Sequence, residues 1–232
     1  MSDLAAGWEA RKLLRAGRVG TLASSAQGQP FASLVTPACA PDLSVLLLLS
    51  GLSEHTRHLR ADPRCSVLVA GDARGVNPQT AARVTVTGLA EPTADPALRA
   101  RYLALHPYAG VYAEFADFSL WRVRLLSGLY VGGFASAARL RASELTLAPE
   151  HVAGIMAVEG EIVARCNADQ SATLGRIAGR PGDWRMVSVD IDGCDLAQGE
   201  HVIRIHWSLP VVDCEGVRRE LDHLAHAAGR RG

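Results

Sequence analysis

Hydrophobic residues recur along the chain with two different periods, and the switches between them mark out its elements. From Leu4 to Leu14 apolar positions fall at roughly helical spacing, a pattern that Gly17 should end. Short apolar runs follow. Val19 to Ser24 and Phe31 to Ala38 flank Ala26-Gln27-Gly28-Gln29-Pro30, whose Gly and Pro suit a hairpin connection, and Ser44 to Leu49 makes a third strand after the Pro41-Asp42 turn. Ser53 stands in an N-cap position and opens a helix that should stop near Asp62-Pro63. Strands are expected again at Cys65 to Ala70 and Ala82 to Leu89. In the second, ARVTVTG alternates, with Val84 and Val86 on one face and Arg83, Thr85 and Thr87 on the other. A helix over Pro96 to Leu105 precedes strands at Ser119 to Leu125 and Leu129 to Phe134. Six or so short strands punctuated by Gly and Pro predict a closed or nearly closed antiparallel barrel.

The pattern changes around Leu147-Ala148-Pro149. Glu150 to Val163 and Ala168 to Ile177 read as helices, Trp184 to Asp190 and His201 to Trp207 as strands around an Asp192-Gly193 turn, and Asp213 to Ala228 as a closing helix. Helix, helix, sheet, helix is a self-contained α+β arrangement. A domain boundary is therefore expected near residue 145.

One connection between core strands is unusually rich in polar chemistry. In LLLLSGLSEHTRHLRADPRCSVLV, Leu46 to Val69, an apolar strand runs straight into Ser53, His55, Thr56, Arg57 and His58 before the next strand begins. A helix N-terminus presents unpaired N–H groups and partial positive charge, and so favours an anion. Each residue also has a plainer reading: Ser53 as an N-cap alone, Arg57 and Arg60 as a solvated helix face, Thr85 and Thr87 as β-branched strand residues. His55 and His58 lie at i, i+3 spacing, but no third ligand stands nearby, so no metal site is expected. Gly132-Gly133-Phe134 reads either as a bulge that lets a backbone come close or as a strand end. Trp121 reads as core or interface.

Composition narrows the function classes. The 232 residues are 48% hydrophobic, enough for a full core, and 24 Lys and Arg balance 24 Asp and Glu, so no polyanion is attracted and no nucleic-acid partner is expected. The N-terminus is amphipathic and charged where a signal peptide needs an apolar centre, and no window approaches the length of an apolar membrane span; a cytoplasmic protein without a membrane partner is expected. The five cysteines, at 39, 65, 166, 194 and 214, are odd in number, scattered and without a CxxC pair, and read as small buried thiols.

The stretches FASLVTPA, LSEHTRHLRADPRCSVLV, ARVTVTG and VGGFASA, in that order over most of residues 15 to 140, resemble the FMN-binding split barrels of the pyridoxamine 5'-phosphate oxidase superfamily, in particular its haem-utilisation (HugZ-like) branch. CNADQSATL and VSVDIDGCDL resemble the small domain that follows the barrel in that branch. The resemblance implies an α+β fold: an antiparallel split β-barrel domain over 1–145 and a small C-terminal α+β domain over 146–232. It implies a homodimer with FMN in a groove between subunits. On this reading Ser53, Thr56 and Arg57 hold the phosphate with His55 beside them, Ser50 contacts the flavin, Ser33, Val35 and Thr36 line the isoalloxazine, and Arg83 reaches the ring or phosphate. The function implied is that of a flavoprotein oxidoreductase. The alternative is a haem-binding or haem-degrading protein that uses the same groove and needs an available imidazole rather than a phosphate site. A non-catalytic module for flavin or another planar ligand is a third reading.

The chain also departs from the family. It lacks the basic strand and the C-terminal Arg-and-His clamp of the vitamin B6 oxidases. Arg165-Cys166-Asn167 and Asp169-Gln170 stand where relatives carry His-Met-Asn and Asp-His, and His223 and His226 read as solvated positions on the last helix.

Overall fold

The computed structural model describes residues 3–73, 75–133 and 136–229, which divide into two compact units. One comprises the chain up to Leu103 together with Ala109–Leu147; the other comprises Ala104–Tyr108 and the chain from Ala148 on.

The first unit opens with helix α1 (Asp3–Ala16), which buries Ala6, Ala10 and Leu14, a four-residue spacing that puts them on one stripe. β1 (Gly20–Ala26) and β2 (Gln29–Val35) form a hairpin around Gln27-Gly28, both at positive φ (51° and 86°). Two consecutive left-handed residues make the mirror-image turn that matches strand twist, and glycine takes that conformation without a Cβ penalty. β3 (Ala38–Cys39) and β4 (Val45–Ser50) follow, then α2 (Glu54–Ala61), β5 (Arg64–Ala70), β6 (Arg83–Pro92), α3 (Pro96–Leu105), the single turn α4 (Gly110–Ala113), β7 (Phe118–Gly133), β8 (Ser136–Arg141) and the turn α5 (Ala142–Leu145). All pairings are antiparallel, in the order β2-β1-β5-β6-β7-β4-β3, with β8 on β7. Alternate residues of these strands (Leu22, Val45, Leu47, Val67, Val69, Val84, Val86, Val123) meet in one core with α1, and this is the split barrel.

Two expectations about strands need correction. Phe31 to Ala38 is not continuous: it breaks at Thr36-Pro37, because proline has no N–H for the ladder. Ser119 to Leu125 and Leu129 to Phe134 belong to one strand of 16 residues, β7. The expected gap is a bulge in which Leu126 has no partner, since Thr87 pairs with Ser127 and Gly88 with Leu125. Gly88 is needed there: a Cβ would come 2.4 Å from the Arg124 carbonyl oxygen. A second irregularity leaves Gly132 between the Val131 and Gly133 pairs with β8, so the glycine pair does mark a bulge; Phe134 lies outside the described residues.

The second unit contains α6 (Pro149–Asp169), α7 (Ser171–Ala178), a three-stranded sheet of β9 (Arg185–Asp190), β10 (Gly193–Gln198) and β11 (His201–His206) in the order β11-β10-β9, and α8 (Cys214–Gly229). β10 and β8 have no counterpart in the expected elements. Asn167 docks α6 on β9: its side-chain amide donates to the Met186 carbonyl (2.9 Å) and accepts from the Met186 N–H (2.8 Å). Beneath the sheet, Arg204 donates to Asp190 (2.6 and 2.9 Å) and to Asp195 (2.9 Å), which also accepts from the Ser188 hydroxyl (2.6 Å). The Arg204 side chain is 3% exposed, so this cation is held almost wholly by its two carboxylates.

Candidate functional site

The polar connection singled out in the sequence joins β4 to β5 through α2. β4 buries both its faces, Leu46 and Leu47 fully, and so arrives at Ser50 as a rigid element. There the chain turns. Ser50 pairs with Phe118, its hydroxyl donates to Asp117 (2.5 Å) and accepts from the Leu52 N–H (3.1 Å), and the Gly51 N–H donates to the Asp117 carbonyl (2.6 Å). α2 then starts at Ser53, whose side chain makes no capping hydrogen bond. The helix is fastened to the β1–β2 hairpin through His58. Its Nδ1 lies 3.0 Å from the Ser24 hydroxyl, and the Phe31 ring meets it edge-on at 5.3 Å.

Between these elements lies a groove of about 220 Å³. Its walls are Leu34 and Val35 of β2 with Thr36 just beyond, Leu47 to Ser50 of β4, the N-cap Ser53 and His55 of α2, and Phe118 of β7. Of the site residues expected from sequence, Val35, Thr36, Ser50, Ser53 and His55 therefore meet in one place. Thr36 is engaged there: its hydroxyl is 2.9 Å from the Tyr102 hydroxyl, which also donates to the Thr36 carbonyl (3.0 Å). Thr56 is fully buried behind the helix. Two expected residues stand apart. Arg57 is exposed and paired with Glu54, and Arg83 holds the loop before β6 by donating to the carbonyls of Gln79 and Ala81, both at 3.2 Å.

Three buried polar atoms of β2 and α2, Ser33 Oγ, His55 Nε2 and Thr56 Oγ1, have no hydrogen-bond partner. An unpartnered buried donor or acceptor costs about 1–3 kcal/mol, so a ligand or a rearrangement that supplies partners is favoured. The His55 pKa lies below its ordinary value, because burial penalises the charged ring and His58 repels it. His55 is therefore a neutral imidazole at neutral pH. Apolar walls, an uncharged imidazole and the uncapped Ser53 hydroxyl suit a flat, largely apolar group with a polar centre or edge.

Sequence reasoning missed Phe118. It lines the groove with Tyr112 at 5.0 Å and Phe115 at 6.4 Å behind it, between ring centroids. The signal was the aromatic spacing in YAEFADF, which period counting assigns to no element. Trp121 is core, 3% exposed, with its N–H donated to the Ser119 hydroxyl (3.0 Å). His223 and His226 are both exposed on α8, and His226 Nδ1 lies 2.6 Å from the Asp222 carbonyl.

A split barrel with a groove at the β4–α2 turn defines the class of this unit. The chain belongs to the pyridoxamine 5'-phosphate oxidase family, whose sequence profile matches residues 8–132. It is 37% identical over 124 residues to the chloroplastic non-canonical heme oxygenase HOZ of Arabidopsis thaliana; the match takes in 52% of this chain and 37% of that protein, little more than a third of its length. Among solved structures it resembles Atu2129 of Agrobacterium tumefaciens, a protein of unknown function (TM-score 0.77, 26% identity, 94% of each chain). It also resembles a heme binding protein of Mycobacterium smegmatis (TM-score 0.58, 27% identity, 97% of this chain and 98% of that one).

Proposed function

We propose that the chain binds haem in the groove at the β4–α2 turn, with His55 as the imidazole offered to iron. The observation that carries this is the placement of His55, which lines an apolar groove with Nε2 in no hydrogen bond; burial and His58 lower its pKa and so favour the uncharged ring. Nε2 is covered as the ring now stands, so ligation needs the side chain to swing outward. That motion breaks no hydrogen bond at Nε2. The names of the Arabidopsis and Mycobacterium relatives support the same ligand. Bound haem supplies one-electron and dioxygen chemistry. The chain's part is to hold the ring between Leu34, Leu48 and Phe118, to keep an uncharged imidazole at hand, and to exclude water with the apolar walls.

A groove of about 220 Å³ is smaller than the roughly 300–1,000 Å³ of small-molecule sites. A second copy would complete it. Leu34 is 76% exposed, and Leu68, aligned with it through Thr21 on the same face of the three-strand surface, is also exposed, which supports a homodimer through that face.

FMN is the second reading, favoured by the uncapped Ser53 hydroxyl at the start of α2. Against it, Glu54 already places a carboxylate in the first turn, where a phosphate would sit, and takes Arg57 as its partner. Titration of the purified chain with hemin and with FMN separates the two. The expected result is a saturable Soret shift that His55→Ala weakens at least tenfold, with little FMN binding. Tight FMN binding without a Soret shift overturns the proposal.

A further inference from the structure

The second unit carries a groove of its own, of about 400 Å³, between the C-terminal half of α6 and the first turns of α8. Its floor is apolar: Ile162, Val217 and Leu221 are buried there. Its rim holds two guanidiniums from different helices, Arg165 on α6 and Arg218 on α8. Among the described residues neither makes an ion pair or hydrogen bond. Glu215, also on the rim, is committed to Arg219 (3.0 Å), which leaves Glu161 as the free carboxylate. The buried Gln170 Oε1, where α6 gives way to α7, has no hydrogen-bond partner. Two cysteines line the same groove, Cys166 buried in its floor and Cys214 exposed at the first residue of α8.

These groups call for complementary chemistry on one small molecule. Two uncommitted guanidiniums ask for carboxylates, Glu161 and the Gln170 amide oxygen ask for an ammonium or N–H, and the thiol at the edge asks for sulfur. We propose that this groove is a binding and modification site for a small, carboxylate-bearing peptide disulfide, with Cys214 the thiol that it modifies. The Cys214 thiolate attacks one sulfur of the bound disulfide. The S–S bond breaks, a Cys214 mixed disulfide forms, and the other half leaves as a thiolate that takes up the proton Cys214 lost. A thiol in excess reverses the step, so the mark follows the thiol–disulfide balance around the protein.

The test compares two disulfides on the full chain, by intact mass against time. Oxidised glutathione is zwitterionic with a net negative charge, and 2,2'-dithiodipyridine is neutral. The expected result is a single glutathionyl adduct that Cys214→Ser abolishes. Arg165→Ala combined with Arg218→Ala should slow that adduct about tenfold, the scale of local electrostatic steering, while the dithiodipyridine rate stays within about twofold. The paired Lys substitutions should recover most of the glutathione rate. Equal slowing of both reagents, no slowing of either, or an adduct on another cysteine overturns the proposal.

Discussion

Arg57 reaches Glu54, three residues earlier on α2, and each side chain of the pair is 57% exposed. A surface pair of this kind is worth about 0–1 kcal/mol. It also occupies the cation that a phosphate site at this helix would use.

Arg57→Ala should therefore lower unfolding stability by no more than about 0.5 kcal/mol and change hemin affinity less than about twofold. Urea denaturation and an absorbance titration measure the two effects. If instead the substitution cut FMN affinity by the roughly one to two decades that a charge-assisted phosphate contact contributes, the flavin reading would replace the haem one.

His55 makes stability depend on pH, and haem binding too if the proposed ligation holds. Its folded pKa lies below the ordinary 6.5, so the unfolded chain binds the proton more readily. The stabilisation of the neutral ring is fully present above about 6.5 and is lost as pH falls through that value toward the lower folded pKa. Protonation also removes the lone pair that iron needs. Hemin affinity should fall in the same window, and His55→Gln should flatten the stability profile there, as urea midpoints from pH 7.5 to 5 would show.

The cation beneath the small sheet has no such tolerance. Arg204→Ala leaves the buried Asp190 and Asp195 without the guanidinium that balances their charge, a loss of about 3–5 kcal/mol. Denaturation followed at Trp184 and Trp207, both buried in that unit, should show an early transition. A near-native midpoint would mean that water replaces the guanidinium.

The thiols should divide sharply in reactivity. Cys39, Cys65, Cys166 and Cys194 are buried and Cys214 is exposed. Burial pushes the Cys65 thiol up to about 11 and raises Cys166 and Cys194 as well. Iodoacetamide on the native chain should label Cys214 alone, and all five thiols should react once urea is added. Peptide mass mapping reads the outcome.

How far the fold was legible follows from which signals are local. The β1–β2 hairpin could be read because Gln27-Gly28 announces its own turn, and α2 because Ser53 and Asp62-Pro63 bracket it. β7 was divided in two because Leu126-Ser127-Gly128 breaks the alternation locally, while the pairing that unites the strand comes from β6 and β8. β10 was hidden because GCDLAQ is buried along most of its length and so does not alternate. At the groove, Val35, Ser50, Ser53 and His55 sit on elements whose ends were visible in the sequence. Phe118 enters only through its pairing with Ser50, and the commitment of Arg57 to Glu54 is a choice of rotamer that no spacing rule records.

The pairing of β4 also sets an order of events during synthesis. Its one long partner is β7, with Val45 opposite Val123 and Ser50 opposite Phe118, whereas β3 supplies only two pairs. A nascent chain that has delivered the SGLSEHTRHL segment thus has no groove until β7 has left the ribosome, and pairings that distant in sequence form slowly. Newly made chains should pass through an interval in which His55 exists but the pocket does not, and uptake of a ligand should lag translation of α2 by the time needed to make and dock β7.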